Sequence, residues 1–183
     1  MSETRQLFMR RPDLEDLPPM PPLPAGYEMR TAGPEDAEAI AAVMVSAFGP
    51  EWSAATVREK LLGAPDVPET FLVTADGVPV AIASARFATE QYPGSGYVHW
   101  VAADAAHRGK RLGFAVTLAV LHYFRAQGCK DAVLETDPPR LPAIRVYLGL
   151  GFRPEVVTPE HEVIWRDILT TRHPPPKLTG QAH

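Results

Sequence analysis

The stretch that most constrains the fold runs from residue 97 to residue 125 and is typical of a strand, a short polar turn and a helix. The turn is basic and contains glycine: Arg108-Gly109-Lys110-Arg111-Leu112-Gly113. Such a turn presents free backbone N–H groups and the positive end of a helix dipole, roughly +0.5 charge. Three cations in that turn oppose the dipole, and a bound polyanion would reverse the penalty. The turn therefore predicts a phosphate site, with a solvated basic turn as the alternative.

Composition narrows the class of protein. The 183 residues suit one domain with its own core. A net charge of −4 argues against nucleic acid or an anionic membrane as the partner. The single cysteine, Cys129, excludes an internal disulfide. The chain has no apolar run of the ~20 residues that span a bilayer, and its start lacks the apolar core of a signal peptide. We therefore expect a cytoplasmic protein.

The prolines divide the chain, because they crowd its two ends. Residues 1–24 are predicted to form a proline-rich N-terminal arm, residues 25–170 the folded domain and residues 171–183 a flexible tail. Within the arm, Leu7-Phe8-Met9-Arg10-Arg11 forms an apolar and basic patch. It is compatible with a floppy leader, with a segment that packs on the body, or with one that packs on a second subunit of a homodimer.

The folded region predicts helices and strands in a defined order. Before the basic turn, the patterns indicate a strand at 27–31, a helix from 33 to 48, a helix from 53 to 63, a hairpin over 71–89 that turns at Asp76-Gly77, and a strand at 97–102. After the turn, they indicate an almost wholly apolar helix to 127, a strand at 131–136, a short helix from 142, and closing strands at 152–157 and 161–169. The central strand–helix–strand unit predicts a right-handed parallel crossover.

Two motifs in this context resemble those of the GCN5-related N-acetyltransferase (GNAT) superfamily. That family's acyl-CoA loop, Gln/Arg-x-x-Gly-x-Gly/Ala, falls on residues 108–113. Its late helix, Asn-x-x-Ala-x-x-x-Tyr-x-x-x-Gly-Phe, falls on residues 140–152 and includes Ala143, Tyr147 and Gly151-Phe152. The resemblance covers roughly residues 26–168. It implies an α/β (α+β) fold of the acyl-CoA N-acyltransferase type, with a mixed, mostly antiparallel sheet flanked by helices.

The resemblance also implies an activity. An N-acetyltransferase of this kind moves an acetyl group from acetyl-CoA, a cosubstrate used without a metal, to a primary amine by direct attack in a ternary complex. The acceptor would be a small molecule or a peptide. The bent strand end at Trp100, Val101 and Ala102 would supply N–H donors to the oxyanion. The predicted cofactor-binding residues are these three together with Arg108, Gly109, Lys110, Arg111, Leu112, Gly113, Arg140 and Ala143.

Three residues are candidates for proton transfer. Tyr147 matches the family tyrosine, and its phenol can hydrogen-bond or protonate the departing sulfur; packing alone is the alternative. Glu135 lies in an apolar strand, where burial would raise the pKa of its carboxyl group toward a useful value. His99 offers an imidazole near neutrality. Either of these two can equally be a satisfied polar residue on the sheet. Asp137 and Glu90 are weaker candidates that would contact a cationic substrate.

Two residues depart from the family pattern. Arg111 replaces the central glycine of the loop, and it either binds a CoA phosphate bidentately or narrows the phosphate cradle. It fits if the residue is helical and its side chain points outward. Arg140 replaces the frequent asparagine, which puts an amide contact to the cofactor in question.

Other functions remain as alternatives or are excluded. A non-catalytic acyl-CoA-binding sensor or interaction module and a phosphate-binding domain unrelated to CoA stay open. A zinc site is not predicted, because Trp165 occupies the place of the second histidine in a His-Glu-x-x-His pattern that begins at His161.

Overall fold

A seven-stranded sheet forms the centre of the fold. The computed structural model describes residues 6–172, with side chains through residue 170. The strands are β1 (Leu7–Arg11), β2 (Tyr27–Thr31), β3 (Glu69–Ala75), β4 (Val78–Arg86), β5 (Ser95–Ala103), β6 (Asp131–Thr136) and β7 (Arg153–Glu155). The helices are α1 (Ala37–Phe48), α2 (Ala54–Val57, continued by a π-helical turn at Arg58–Leu62), α3 (Leu112–Ala126), α4 (Leu141–Gly149) and α5 (Pro159–Arg172).

The strand order is β2-β3-β4-β5-β6-β1-β7. Among these strands, β5 and β6 form the parallel pair, and the other neighbours are antiparallel. The parallel pair is joined through α3, so the predicted crossover is present. The fold class predicted from the sequence, a mixed and mostly antiparallel sheet flanked by helices, is confirmed.

Local signals placed several elements correctly. The β3–β4 hairpin turns at Asp76 (φ 48°) and Gly77 (φ 82°), and both residues adopt the left-handed backbone that a type I′ turn requires. The start of α1 is held by Asp36, whose carboxylate accepts the Gly33 N–H at 2.8 Å and pairs with Arg30 at 2.7 Å. The Ser53 hydroxyl caps α2 by accepting the Thr56 N–H at 3.2 Å.

Helices cover both faces of the sheet. On one face, α1 and α2 bury Ile40, Met44 and Leu61 against the sheet. On the other face, α3 buries an apolar side that includes Phe124. A Cβ at Gly96 of β5 would overlap the Phe124 ring, so a residue without a side chain is needed for α3 to approach the sheet this closely.

The patch at residues 7–11 is not part of an extended arm. It forms β1 and lies between β6 and β7, with Phe8 opposite both Glu135 and Glu155. Its side chains alternate, so that Leu7 and Met9 are fully buried, while Arg10 pairs with Asp131 at 2.5 Å and Glu155 at 2.6 Å. The proline-rich surroundings hid this strand, because its partners lie more than 100 residues away in the sequence. Residues 1–5 of the predicted arm and residues 173–183 of the predicted tail lie outside the described residues, and residues 171–172 of that tail belong to α5.

The predicted closing strand at 161–169 is wrong, since these residues form α5. Burial recurs at His161 and Trp165 with helical spacing. Pro159 and Glu160 occupy the first turn, and the Thr158 hydroxyl accepts the His161 N–H at 3.2 Å. Proline, an acid and a capping hydroxyl are helix-start signals, and here they override the β-branched composition. The strand predicted at 152–157 is reduced to β7.

Within residues 6–172, no helix is long and apolar enough to cross a bilayer.

The place of β1 in the core leads to a stability prediction. Met9→Ala should lower the free energy of unfolding by about 2–5 kcal/mol, because it empties a buried site that cannot fully collapse. Met20 is 40% exposed, so Met20→Ala should stay within about 0.5 kcal/mol of the original chain. Urea denaturation of the three proteins measures this difference. Equal stabilities for the two variants would contradict the position of β1.

Candidate active site

A bulge in β5 opens the sheet. Ile82 of β4 faces Ala102, but Ser84 faces His99, so Trp100 and Val101 together stand opposite one residue of β4. Trp100 has a φ of 47°, a left-handed conformation that is unusual for a bulky side chain. Strand pairing between β5 and β6 is confined to Ser95–Tyr97 opposite Asp131–Val133. Beyond that point the two strands separate.

The separation produces a small cleft, which we call the inner cleft. Its volume is about 170 Å³. It is lined by side chains from the diverging strand ends, from α1 and from the start of α4, together with Gln6. These are Gln6, Phe48, Tyr97, Val98, His99, Trp100, Val101, Glu135, Thr136, Asp137, Arg140 and Tyr147.

A second cleft of about 700 Å³, the outer cleft, runs beside the basic turn. It is lined by the end of β5, the turn itself, and parts of α1 and α4. These residues are Ser46, Ala47, Val101, Ala102, Ala103, Ala105, Arg108, Gly109, Gly113, Arg140, Pro142, Ala143, Val146 and Tyr147. The two clefts share Val101, Arg140 and Tyr147, so a ligand in one can meet a ligand in the other at these residues.

Tyr147 of α4 lies where the clefts meet. Its side chain is 6% exposed, and burial raises the pKa of its phenol to about 12, against the opposing effect of the Arg140 charge. The phenol is therefore protonated throughout the neutral range. Tyr147 lines both clefts. A protonated hydroxyl facing a cleft is available as a hydrogen-bond donor to a ligand.

Glu135 of β6 is held by two tyrosines. The Tyr92 hydroxyl donates to its Oε1 at 3.2 Å, and the Tyr92 and Tyr97 rings stack with centroids 5.7 Å apart. Burial, followed by the Glu135 charge, raises the pKa of Tyr92 to about 12 and also raises the pKa of Tyr97. Both phenols remain donors at neutral pH, so they orient the Glu135 carboxylate in the inner cleft.

His99 of β5 also lines the inner cleft, and its ring lies 5.6 Å from that of Tyr97, two residues earlier on the same side of the strand. Burial, reinforced by the nearby charges of Arg86 and Lys60, lowers the pKa of its imidazole to about 4, although Asp66 opposes this shift. The ring is therefore neutral at pH 7. It is unprotonated but weakly basic, which makes it a poorer proton acceptor than the sequence suggested.

The basic turn divides into residues that line the outer cleft and residues that do not. Arg108, Gly109 and Gly113 line it. Leu112 is buried in the core, and Lys110 lies over the Tyr27 ring with its Nζ 5.9 Å from the centroid. Three of the six residues of the turn, Arg108, Gly109 and Gly113, therefore line the outer cleft.

Arg111 is not in the right-handed helical conformation that we expected. It stands before α3 with a left-handed backbone, φ 57° and ψ 28°, so it retains the backbone geometry that suits a glycine at this position. Its guanidinium lies 4.4 Å from the centroid of the Phe114 ring. The side chain is exposed and is not among those that line the outer cleft.

Arg140, at the start of α4, lines both clefts. Its guanidinium carbon is 4.0 Å from the centroid of the Phe48 ring. This cation–π contact between α1 and α4 spans the mouth of the clefts. An asparagine at this position is too short to make the same contact.

The sequence did not identify Tyr97, Phe48 or Tyr92 as residues of the site or its surroundings. Tyr97 had a usable signal, because it alternates with His99 along β5. Phe48 ends a helix whose apolar face is typical of core, so it carried no pattern that pointed to the site. Tyr92, which contacts Glu135 but lines neither cleft, lies in an irregular loop and carried no such pattern either. The candidates Glu135, His99, Tyr147 and Asp137 lie together at the inner cleft, whereas Glu90 is not among the lining residues. Within residues 6–172, no three His, Cys, Asp or Glu side chains are grouped to hold a metal ion.

The buried imidazole predicts a pH dependence of stability. Because the pKa of His99 is about 4 in the folded chain and about 6.5 when unfolded, the unfolded chain binds more protons between these values. The contribution of the neutral His99 ring to the free energy of unfolding is therefore complete above pH 6.5 and is lost as the pH falls toward 4. His99→Asn should therefore lose less stability than the original chain between pH 7 and pH 5 in urea denaturation. An equal loss in both proteins would contradict a buried, neutral His99.

Comparisons with known proteins agree with this geometry. The family model described as "Acetyltransferase (GNAT) family" matches residues 37–152. A mycothiol acetyltransferase from Actinosynnema mirum is 34% identical over 154 residues, which are 81% of this chain and 52% of the relative. The chain thus spans about half the length of the curated relatives that it matches first.

Solved structures share the fold. A GCN5-related N-acetyltransferase from Kribbella flavida is 28% identical with a TM-score of 0.59, over 83% of this chain and 55% of that one. AAC(6')-Iy in complex with a CoA bisubstrate analogue has a TM-score of 0.62 and 19% identity, over 72% of this chain and 95% of that one. The motifs, the open sheet and the matched family model agree, and the chain belongs to the GNAT acetyltransferase family.

Proposed function

We propose that this chain transfers an acetyl group from acetyl-CoA to a primary amine by direct attack within a ternary complex. The observation that carries the proposal is the meeting of two clefts at Val101, Arg140 and Tyr147. The larger one lies beside a basic, glycine-containing turn, and the smaller one contains a carboxylate. A thioester entering from the outer cleft and an amine in the inner cleft would meet beside a protonated phenol.

The outer cleft suits acetyl-CoA. Arg108 supplies positive charge at its wall, and Gly109 (φ 80°) and Gly113 allow a pyrophosphate to approach the backbone, since a Cβ at either position would meet only open space. Gly109 also needs its left-handed φ. The remaining wall is largely apolar and suits a pantetheine arm.

The chemistry follows from the residues at the meeting point. The amine nitrogen attacks the thioester carbon, and a C–N bond forms as the C–S bond breaks. The bulge in β5 takes backbone N–H groups near Val101 out of the regular strand pairing, toward the position of the tetrahedral oxyanion. The departing thiolate accepts a hydrogen bond from the Tyr147 hydroxyl. The proton released by the amine passes toward Glu135, directly or through water.

The relatives support a small molecule as the acceptor. The inner cleft is small, and the curated relatives are named mycothiol acetyltransferases. A peptide amine is the alternative acceptor.

A test of the activity is the release of thiol from acetyl-CoA in the presence of a panel of amines. The panel contains amino acids, polyamines, aminoglycosides, N-terminal peptides and the acceptor of mycothiol acetyltransferases. Acetylation of at least one class supports the proposal. CoA binding by calorimetry without turnover across the panel would favour a non-catalytic acyl-CoA sensor instead. The reason to keep that alternative is that Arg111 and Arg140 replace the glycine and the asparagine of the family motifs.

Tyr147→Phe separates the role of the hydroxyl from that of the ring. A hydrogen bond to a charged group contributes about 1.5–3 kcal/mol, so kcat should fall roughly 10- to 100-fold while the Km for acetyl-CoA changes little. Tyr123→Phe is the control, because Tyr123 packs on Phe71 outside both clefts. Full turnover in Tyr147→Phe would end the proposed role of this hydroxyl.

Arg108 and Arg111 form a second comparison, measured as the Kd for CoA by calorimetry. Arg108→Ala should weaken binding roughly two- to fivefold, as expected for an exposed charge contact of up to ~1 kcal/mol. Arg111→Gly should leave the Kd within about twofold, because this side chain packs on Phe114 and not on the cleft wall. A larger loss for Arg111→Gly than for Arg108→Ala would show that Arg111 binds the phosphates.

A further inference from the structure

The inner cleft contains charges of both signs. Glu135 and Asp137 lie on the β6 side, and Arg140 lies at the start of α4. Its volume of about 170 Å³ is below the ~300–1,000 Å³ of pockets for drug-sized ligands. An acceptor that reacts there would therefore share a small space with carboxylates and a guanidinium.

The guanidinium of Arg140 has no anionic partner within the described part of the chain. The ion pairs of residues 6–170 join other arginines to acids, and none includes Arg140. Its contact with the Phe48 ring occupies the face of the cation and satisfies none of its N–H donors. A half-buried guanidinium with free donors is matched best by a planar carboxylate, which it can bind through two parallel hydrogen bonds.

The cleft also contains an oriented carboxylate, which suits a cation. Tyr92 fixes one oxygen of Glu135 by a hydrogen bond of 3.2 Å, and the stacked Tyr97 holds Tyr92 in place. The Glu135 carboxylate lines the same cleft as Arg140. It can accept hydrogen bonds from an ammonium or amine group bound there.

We infer that the acceptor is a compact amine that carries its own carboxylate, as amino acids do, with Arg140 binding the carboxylate and Glu135 receiving the amine. The inference rests on the proposed acetyl transfer and assigns the class of its acceptor. An anion on CoA is the competing source for the same guanidinium chemistry, because Arg140 also lines the outer cleft.

The test uses the full chain, acetyl-CoA, and α-, β- and γ-amino acids, each beside its carboxamide, which keeps the amine but lacks the charge. For at least one pair, kcat/Km should favour the amino acid roughly 10- to 100-fold, the range of a charge-assisted hydrogen bond. In Arg140→Gln this preference should collapse through a higher Km for the amino acid, with the Km for acetyl-CoA unchanged. Arg140→Lys should keep part of the preference, because it retains the charge without the planar fork.

The matched control is Arg145→Gln, a change on the exposed side of the same helix. It should keep the full preference. The inference is overturned if the original chain acetylates carboxamides as well as amino acids, if Arg140→Gln keeps the preference, or if that variant raises the Km for acetyl-CoA instead. Absence of transfer to any amine would overturn the proposed function, and this inference with it, whereas indifference to the carboxylate overturns the inference alone.

A second measurement needs no variant. N-acetylated amino acids and their carboxamides are products of the proposed reaction and should compete with the acceptor. In the original chain, the N-acetyl amino acid should inhibit at a lower concentration than its carboxamide, competitively with the amine. Equal inhibition by both would contradict carboxylate binding even if an Arg140 variant fails to fold.

Discussion

The left-handed backbone at Trp100 is the local constraint on which the candidate site depends. A bulky residue adopts this conformation at an energetic cost, and here the Trp100 ring is held between Phe48 and Trp52, with centroids 5.1 and 4.8 Å away. The packing of α1 and α2 thereby stabilises the bulge. Because the bulge turns β5 away from β6, the sheet opens instead of continuing as a regular parallel pair. Both clefts and the position of Val101 follow from that opening.

Beyond the opening, the sheet continues through β1, which lies beside the other edge of β6. This strand lies antiparallel between β6 and β7 and pairs with the edge of β6 that faces away from β5, with Leu7–Arg11 opposite residues 132–136, so β6 stays in the sheet beyond the point where β5 has departed. Arg10 ties three strands together through Asp131 and Glu155. Arg11, which is buried, donates to the Leu150 carbonyl at the end of α4. The beginning of the described chain therefore supports the strand that carries Glu135 and the helix that carries Tyr147.

Some side chains of the site are neutral at neutral pH, and others are charged. Burial raises the pKa of Tyr147 and lowers that of His99, so both side chains are uncharged at neutral pH. The charged groups at the inner cleft are the acids of β6 and its end, and Arg140. A neutral centre flanked by opposite charges suits a reaction in which charge develops on the oxyanion and the thiolate, because fixed donors stabilise that charge without reorganisation.

The sequence by itself determined the elements whose signals are local: β2, the β3–β4 hairpin, α1, α3 and β6, together with the turn and helix motifs that placed the chain in its family. Capping residues, a turn dipeptide and apolar periodicity act over a few residues, so they can be read without the fold. The tertiary structure alone decided the place of β1, the bulge at Trp100, and the contacts of Glu135 with Tyr92 and of Arg140 with Phe48. Each of these depends on partners distant in the chain, and a pairing between distant residues leaves no periodic trace in either segment.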